Sequence, residues 1–379
     1  MNKSFLCFDR FLFDEISNFT IEITQQCNFR CSYCCYSGEY SGMRKHANRS
    51  MEHDTILKTI EFIKSHAHKT EVIVVSFFGG EALLQLNQIV FIVEELSAYF
   101  KDRVVFDIST NGLLLSSTIV DKLIRYKIGI SVSVDGCKTI HDKNRKTIDG
   151  KGTFNHVVDN LLKFKERYPN EYQDRIRLLV TVGSIEDVIR MNEQFASFKK
   201  LLGNKPPLVS QIYPNFKKKE FHFNDAVIET EFLEKAITKK KNGVFDFYTI
   251  ILDSLLKKAE KKFTCSEKDN KIYLRTCLDN MYSIFIDAEG RLYPCEKFDT
   301  SHYIGDLETG VSKKLLYKWS IIYNFRRSIL CSNCKIVEYC SRCLADLKMS
   351  FVEQKEMCKE YKKNIELAVM YNHKLKNNA

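Results

Sequence analysis

The chain lacks any sign of export or membrane insertion. No N-terminal stretch combines a basic start, an apolar core and a small-residue cleavage site, and no apolar run is long enough to span a bilayer. Internal repeats and low-complexity segments are absent as well. The expected compartment is the cytoplasm, where thiols stay reduced and grouped cysteines bind metal more often than they form disulfides. Aromatic residues are not interleaved with the lysine runs in the way a nucleic-acid platform needs. Those runs, Lys217-Lys218-Lys219, Lys239-Lys240-Lys241, Lys257-Lys258 and Lys261-Lys262, fall in one middle stretch of a chain with net charge +10. They are read as solvated helix faces, with no nucleic-acid partner and no membrane partner expected.

What the chain has is length and sulfur. Its 379 residues are 44% apolar, enough for one large core or two domains, and 14 are cysteines. Runs rich in β-branched and aromatic residues at 19–24, 72–78, 104–109, 129–134, 176–182 and 207–212 read as buried parallel strands. Amphipathic stretches at 52–66, 84–100, 116–127, 153–167 and 185–201 separate them, with starts signalled by Asp54, Ser117 and Thr153. Six such β–α units predict an α/β fold, a partial (β/α)6 TIM-type barrel with an open side.

Residues 225–262 read as one or two bridging helices. After Cys265 helical periodicity fades, cysteines crowd in, and 284–293 predicts a hairpin turning at Glu289-Gly290. The last twenty residues return to a basic helix. The expected division is an extension over 1–18, the barrel over 19–220, the bridge over 221–264, a cysteine-rich domain over 265–365 and a tail over 366–379.

The sharpest feature is Cys27-x3-Cys31-x2-Cys34, directly after the first strand. Structural zinc and electron-transfer clusters usually take four protein ligands. Three thiolates without a fourth leave one iron of a cubane cluster open, which points to chemistry; buried or zinc-binding cysteines are the plainer alternative.

This triplet, with Tyr33 before its third cysteine and Gly79-Gly80-Glu81-Ala82 ending the second strand, resembles the radical S-adenosylmethionine (SAM) superfamily. The resemblance implies a 4Fe–4S cluster on Cys27, Cys31 and Cys34, with SAM on the open iron. It places Tyr33 near the adenine and assigns Gly79, Gly80 and Glu81 to the SAM ammonium group. Ala82 stands where the family usually has proline. Asn111 at the third strand end and Ser133 and Asp135 at the fourth would join the pocket, with Arg145 a candidate carboxylate partner. Asn-Gly and Asp-Gly are also good turn formers, so ordinary turns are the alternative there.

Downstream, Cys277-x12-Gly290-x4-Cys295, then Cys331-x2-Cys334-x5-Cys340-x2-Cys343, then Cys358 resemble the SPASM domain, which holds two auxiliary 4Fe–4S clusters. Carried over, Cys277, Cys295 and Cys343 would hold the first, with Cys265 a possible fourth ligand; otherwise that iron is open or filled by substrate. Cys331, Cys334, Cys340 and Cys358 would hold the second. Zinc ribbons are the alternative, since Cys-x2-Cys pairs also suit tetrahedral zinc. Cys7, Cys35 and Cys137 fit no cluster and are assigned to core packing, Cys35 pointing away from the cluster.

Tyr36-Ser37-Gly38-Glu39-Tyr40 with Arg44, His46 and Met51, together with 287–297 and Ile304-Gly305-Asp306, is similar to peptide maturases that install cysteine thioether crosslinks. The implied cofactors are three 4Fe–4S clusters and SAM. The implied partners are a precursor peptide, an electron donor such as flavodoxin or ferredoxin, and a separate leader-binding protein, since some twenty residues before the barrel are too few for a leader-binding module. The basic bridge, or the Phe-rich start (Phe5, Phe8, Phe11, Phe13), could instead bind the leader; that start is read first as a strand closing the barrel. An anaerobic sulfatase-maturing enzyme is the nearest alternative and a zinc-binding nucleic-acid module the distant one.

Overall fold

A computed structural model describes residues 16–40, 42–67, 69–211, 230–260, 283–340 and 350–377. Six strands run parallel in the order of the chain: β1 (Asn18–Thr24), β2 (Ile73–Gly79), β3 (Val104–Thr110), β4 (Gly129–Ser133), β5 (Ile176–Val182) and β6 (Leu208–Gln211). Helices α1 (His53–His66), α2 (Leu86–Phe100), α3 (Ser117–Arg125), α4 (Lys138–Asn144), α5 (Phe154–Arg167) and α6 (Pro169–Arg175) connect the first five. The connection to β6 differs from the expected single helix. It is two short helices, α7 (Ile185–Glu193) and α8 (Phe195–Lys199).

Alternation along each strand sorts the two faces. Ile21 and Ile23, Val75 and Phe77, Ile108, Val132 and Val180 are fully or almost fully buried on the helix-covered side. They meet Ile60 and Ile63 of α1, Ile89 and Val93 of α2, and Leu161 of α5 in one continuous core. Each such side chain contributes about 1.5–3 kcal/mol by leaving water. The other face carries Thr20, Ser76, Asp107, Ser109, Arg177 and Thr181, all half-buried. A closed eight-strand barrel fills that space with Val, Ile and Leu. Here the inner face is polar, as suits a sheet that stops at six units and stays open.

The sheet does not begin at β1. Strand β7 (Ser283–Ile286) pairs with β1 in parallel, Thr20 opposite Phe285, and the sheet continues through β8 (Arg291–Tyr293), β9 (Gly305–Asp306) and β10 (Gly310–Val311). The β7–β8 hairpin falls where expected, with Gly290 at φ +81° in its turn. Between β6 and β7 lie α9 (Thr230–Lys241) and α10 (Phe247–Glu260), the expected bridge. Its basic run is ion-paired: Lys239 Nζ lies 2.5 Å from Asp246 and Lys240 pairs with Asp253.

Details at the helix ends and in the cysteine-rich region differ from or sharpen what was expected. Helix α3 starts at Ser117 as expected, and the capping side chain is its neighbour Ser116, which accepts from Ile119 N. Thr153 occupies the cap position of α5 without capping it, because its hydroxyl donates to Arg145 O at 2.9 Å. The cysteine-rich region is more helical than its sequence suggests, with α11 (Lys313–Cys331) and α12 (Phe351–Asn377) of 19 and 27 residues. The Phe-rich start lies outside the described residues. Both edges of β1 are already taken, by β2 and β7.

Candidate functional site

The loop after β1 carries Cys27, Cys31 and Cys34. Phe29, fully buried, anchors its middle. Two backbone N–H groups aim at thiol sulfurs, Phe29 N to Cys27 Sγ at 3.4 Å and Tyr36 N to Cys34 Sγ at 3.3 Å. Asn111 Nδ2 lies 4.0 Å from Cys27 Sγ and donates to Asn28 Oδ1 at 2.7 Å.

Burial pushes the Cys27 thiol up to about 12, with the charges of Glu81, Cys31 and Cys34 adding to it. Cys31 is likewise raised to about 12 by burial, against the pull of Arg145. Cys34 is raised by its hydrogen bond to Cys35 and then by burial. So the Cys35 side chain contacts a ligand candidate instead of pointing away, whereas Cys137 is buried in the core as expected. Thiols held protonated by burial become thiolates when a metal supplies the missing positive charge. Three soft sulfur donors, two of them facing N–H groups, fit an iron–sulfur cluster. Among the described residues no three His, Cys, Asp or Glu side chains close on a single ion.

Gly79 and Gly80 serve the cysteine loop directly. A Cβ on Gly79 would sit 2.1 Å from Thr24 O, and one on Gly80 would sit 2.0 Å from Gln26 O. The close approach lets Gly80 N and Glu81 N donate to Thr24 O and Gln26 O, each at 2.8 Å. Glu81 is fully buried, and its carboxylate accepts from Leu83 N (3.1 Å), Thr110 Oγ1 (2.7 Å) and Asn111 N (2.7 Å). Here it braces the end of β3.

Beyond β4, Asp135 and Arg145 form a buried fork. Arg145 Nε and Nη2 reach Asp135 Oδ2 and Oδ1 at 2.8 and 3.1 Å. Thr181 N and the Tyr33 hydroxyl also donate to Asp135, at 2.9 and 2.5 Å. The Arg145 guanidinium lies 5.3 Å from the Tyr33 ring centre. Thus the carboxylate Arg145 holds is Asp135, and both charges act by fixing Tyr33 beside Cys31. Ser133 is half-buried at the end of β4. His141 sits behind the fork, accepting from Asp135 N at 3.2 Å and meeting Thr153 Oγ1 at 3.0 Å. Burial and Arg145 push it down to about 4, so it stays neutral.

The sequence reading missed a second buried network. Glu22, fully buried in β1, receives the Tyr36 hydroxyl, Gln25 Nε2 at 3.0 Å and Ala288 N at 3.1 Å. Arg44 Nε is 3.2 Å from Glu22 Oε1, an ion pair without aligned hydrogen-bond geometry. The guanidinium lies over both Phe285 and Tyr293, 4.4 and 4.8 Å from their ring centres, and Nη1 donates to Glu296 O at 2.8 Å. The one signal available was a lone carboxylate inside the apolar run 19–24.

In the C-terminal region Cys331, Cys334, Cys340 and Cys358 line one cavity with Arg326 and Gln354. Cys331 ends α11, Cys340 follows a single 3₁₀ turn, and Cys358 lies near the start of α12. Four thiols spread around one cavity, too far apart to close on a single ion, suit the wider span of a four-ligand cluster. Cys295 is half-buried after β8. Cys7, Cys265, Cys277 and Cys343 lie outside the described residues.

The family model described as Radical SAM superfamily matches residues 21–190. The chain is 22% identical over 357 residues to the radical SAM cyclopropyl synthase TigE of Paramaledivibacter caminithermalis, covering 89% of this chain and 70% of that one. It is 23% identical over 373 residues to the cysteine-type anaerobic sulfatase-maturating enzyme of Clostridium perfringens strain 13, covering 90% and 93%. The solved structure of native anSMEcpe with bound AdoMet and Cp18Cys peptide superposes with a TM-score of 0.68 at 19% identity, covering 95% and 99% of the two chains. The cysteine loop, the glycine-glycine-glutamate brace and strands β2 to β5 thus lie within the stretch that matches the Radical SAM superfamily model, and over most of its length the chain is similar to a radical SAM synthase and to sulfatase-maturating enzymes.

Proposed function

We propose that this enzyme modifies a cysteine-containing polypeptide, joining the cysteine sulfur to a carbon of another residue. The observation that carries the peptide reading is the polar inner face of the sheet, whose first strand runs into the cysteine loop and whose outer strands are not closed on each other. Relatives in kind are named for peptide or protein work, including the sulfatase-maturating enzymes.

Cys27, Cys31 and Cys34 would hold the cluster, whose SAM supplies a 5′-deoxyadenosyl radical that removes hydrogen from an unactivated carbon. Gly79 and Gly80 keep the ligand loop against the end of β2. Asn111, Tyr33 and the Asp135–Arg145 fork shape the wall beside it and keep water from the reacting carbon. Ser133 faces the same opening. Cys331, Cys334, Cys340 and Cys358 would hold an auxiliary cluster able to take the electron left after a sulfur–carbon bond forms. Cys277, Cys295 and Cys343 would hold the other, with Cys265 or a substrate group on its fourth iron. A flavodoxin or ferredoxin would supply the first electron.

A second reading, oxidation of a cysteine to formylglycine, is favoured by the near full-length match to cysteine-type sulfatase maturases. Mass spectrometry of a cysteine peptide after anaerobic turnover separates the two. A thioether loses two hydrogens, keeps its sulfur and resists thiol alkylation; formylglycine loses the sulfur and gains an aldehyde. An unchanged peptide beside abundant 5′-deoxyadenosine, across precursors encoded near this chain, would remove the peptide reading.

A further inference from the structure

Helix α11 is apolar on two opposite sides. Leu316, Trp319 and Tyr323 are buried against the domain, and Cys331 closes the helix inside the cysteine-lined cavity. On the far side Tyr317, Ile321, Phe325 and Ile329 are 44, 49, 66 and 52% exposed. Their spacing of four places them along one ridge, about 18 Å long at about 1.5 Å per residue. Isolated exposed apolar residues are ordinary, but a continuous ridge of large ones marks a contact surface.

Charge identifies the occupant. The nineteen residues of α11 include no Asp or Glu. Lys314 and Lys318 are exposed and start, at about 100° per residue, from inside the arc of the ridge; the Lys318 ammonium rests over the Trp319 ring, 4.4 Å from its centre, and Lys314 is the lysine that flanks the ridge directly. We propose that this face docks an acidic amphipathic helix, a recognition segment of the polypeptide substrate that lies outside the residues being modified. The proposal rests on the peptide-modifying reading above. A ridge one residue wide per turn fits the groove of a facing helix. An anionic lipid surface fits less well, because lysines would then sit within the face that has to enter the acyl layer. Seated here, the segment would be held beside the four-cysteine cavity at the end of α11 while the rest of the substrate reaches the open sheet.

The test uses the full-length reconstituted enzyme and a fluorescein-labelled synthetic helix of about four turns, leucine at every fourth position and glutamate around it. Fluorescence anisotropy is expected to show binding that weakens with salt. Ile321→Asp with Phe325→Asp should weaken it at least about tenfold, and a scrambled peptide of the same composition should bind no better than that variant does. Both positions are exposed, and unchanged far-UV circular dichroism checks the fold. Equal binding by the wild type and the variant, or by the scrambled peptide, would overturn the proposal. So would co-sedimentation with anionic phospholipid vesicles in place of peptide binding, or a dimer that the double variant abolishes. Formation of 5′-deoxyadenosine without peptide reads the radical chemistry separately. Peptide binding without that product sinks the catalytic reading and leaves the docking face; the product without binding does the reverse.

Discussion

Arg44 Nε stands 3.2 Å from Glu22 Oε1 with both side chains almost wholly removed from water. The pair joins the cysteine loop, through Tyr36, to the turn of the β7–β8 hairpin, through Ala288 N, and to the segment after β8, through Glu296 O. Burial pushes the Glu22 carboxyl up, and Arg44 and the Tyr36 hydroxyl oppose it. Losing one partner leaves a buried charge alone, which costs about 3–5 kcal/mol. Arg44→Met is therefore expected to lower the urea midpoint strongly. The double variant Arg44→Met with Glu22→Gln should lose less than the sum of the single changes. Strict additivity would show that the two side chains do not act as a pair.

Gly80→Ala should disturb the cysteine loop without touching a cysteine. Its Cβ would lie 2.0 Å from Gln26 O and 2.5 Å from Gln26 C, and a backbone contact that close cannot be relieved by a rotamer change. Forced overpacking of this kind costs about 1–3 kcal/mol or more. The expected outcome is lower thermal stability together with reduced iron after reconstitution. A variant that folds and loads iron like the wild type would show that the crossing of β1 and β2 tolerates more space than the geometry indicates.

The two cysteine groups should load independently. Three 4Fe–4S clusters correspond to about twelve irons per chain. Replacing Cys331 and Cys334 with Ala is expected to remove about four of them and leave SAM cleavage in place. Replacing Cys27, Cys31 and Cys34 with Ala should remove a similar amount and abolish cleavage. Iron and sulfide analysis with electron paramagnetic resonance measures both; zinc in place of iron would exclude the cluster assignment.

Asp107 on the inner face carries a stability cost that depends on pH. Burial raises its carboxyl from 3.8 to about 6, although Ser131 Oγ donates to it at 3.1 Å. A carboxyl whose pKa is higher folded than unfolded destabilises the fold when ionised. The cost is full above about 6 and disappears below the unfolded value. Asp107→Asn should therefore raise stability at pH 7.5 by about 2–3 kcal/mol at most, with the gain shrinking as the pH falls toward 5. A gain that is the same at pH 7.5 and 5 would mean that shape, not charge, limits Asp107.

Local pattern made much of this protein legible. The six β–α units were readable because each buried strand is a short β-branched run, and each helix shows one apolar side between turns. The cysteine spacing was readable because the three thiols are gathered by one short loop directly after β1. Helix α11 was not, since apolar residues on two opposite sides blur the period by which helices are recognised. Its exposed ridge and its buried face become distinct only when the domain covers one of them.

Covalent order along the chain thus determined the element types, the placement of Cys27, Cys31 and Cys34 after a strand, and the pairing of that loop with a glycine-glycine-glutamate turn. Tertiary structure decided which groups meet. It set Arg145 on Asp135 and Glu81 on Thr110 and Asn111, and it laid β7 beside β1 so that Arg44 could reach Phe285 and Tyr293. Those partners are far apart in sequence, and a buried charge takes whichever opposite charge or donor the packing brings near, because leaving it alone costs more than any local preference supplies.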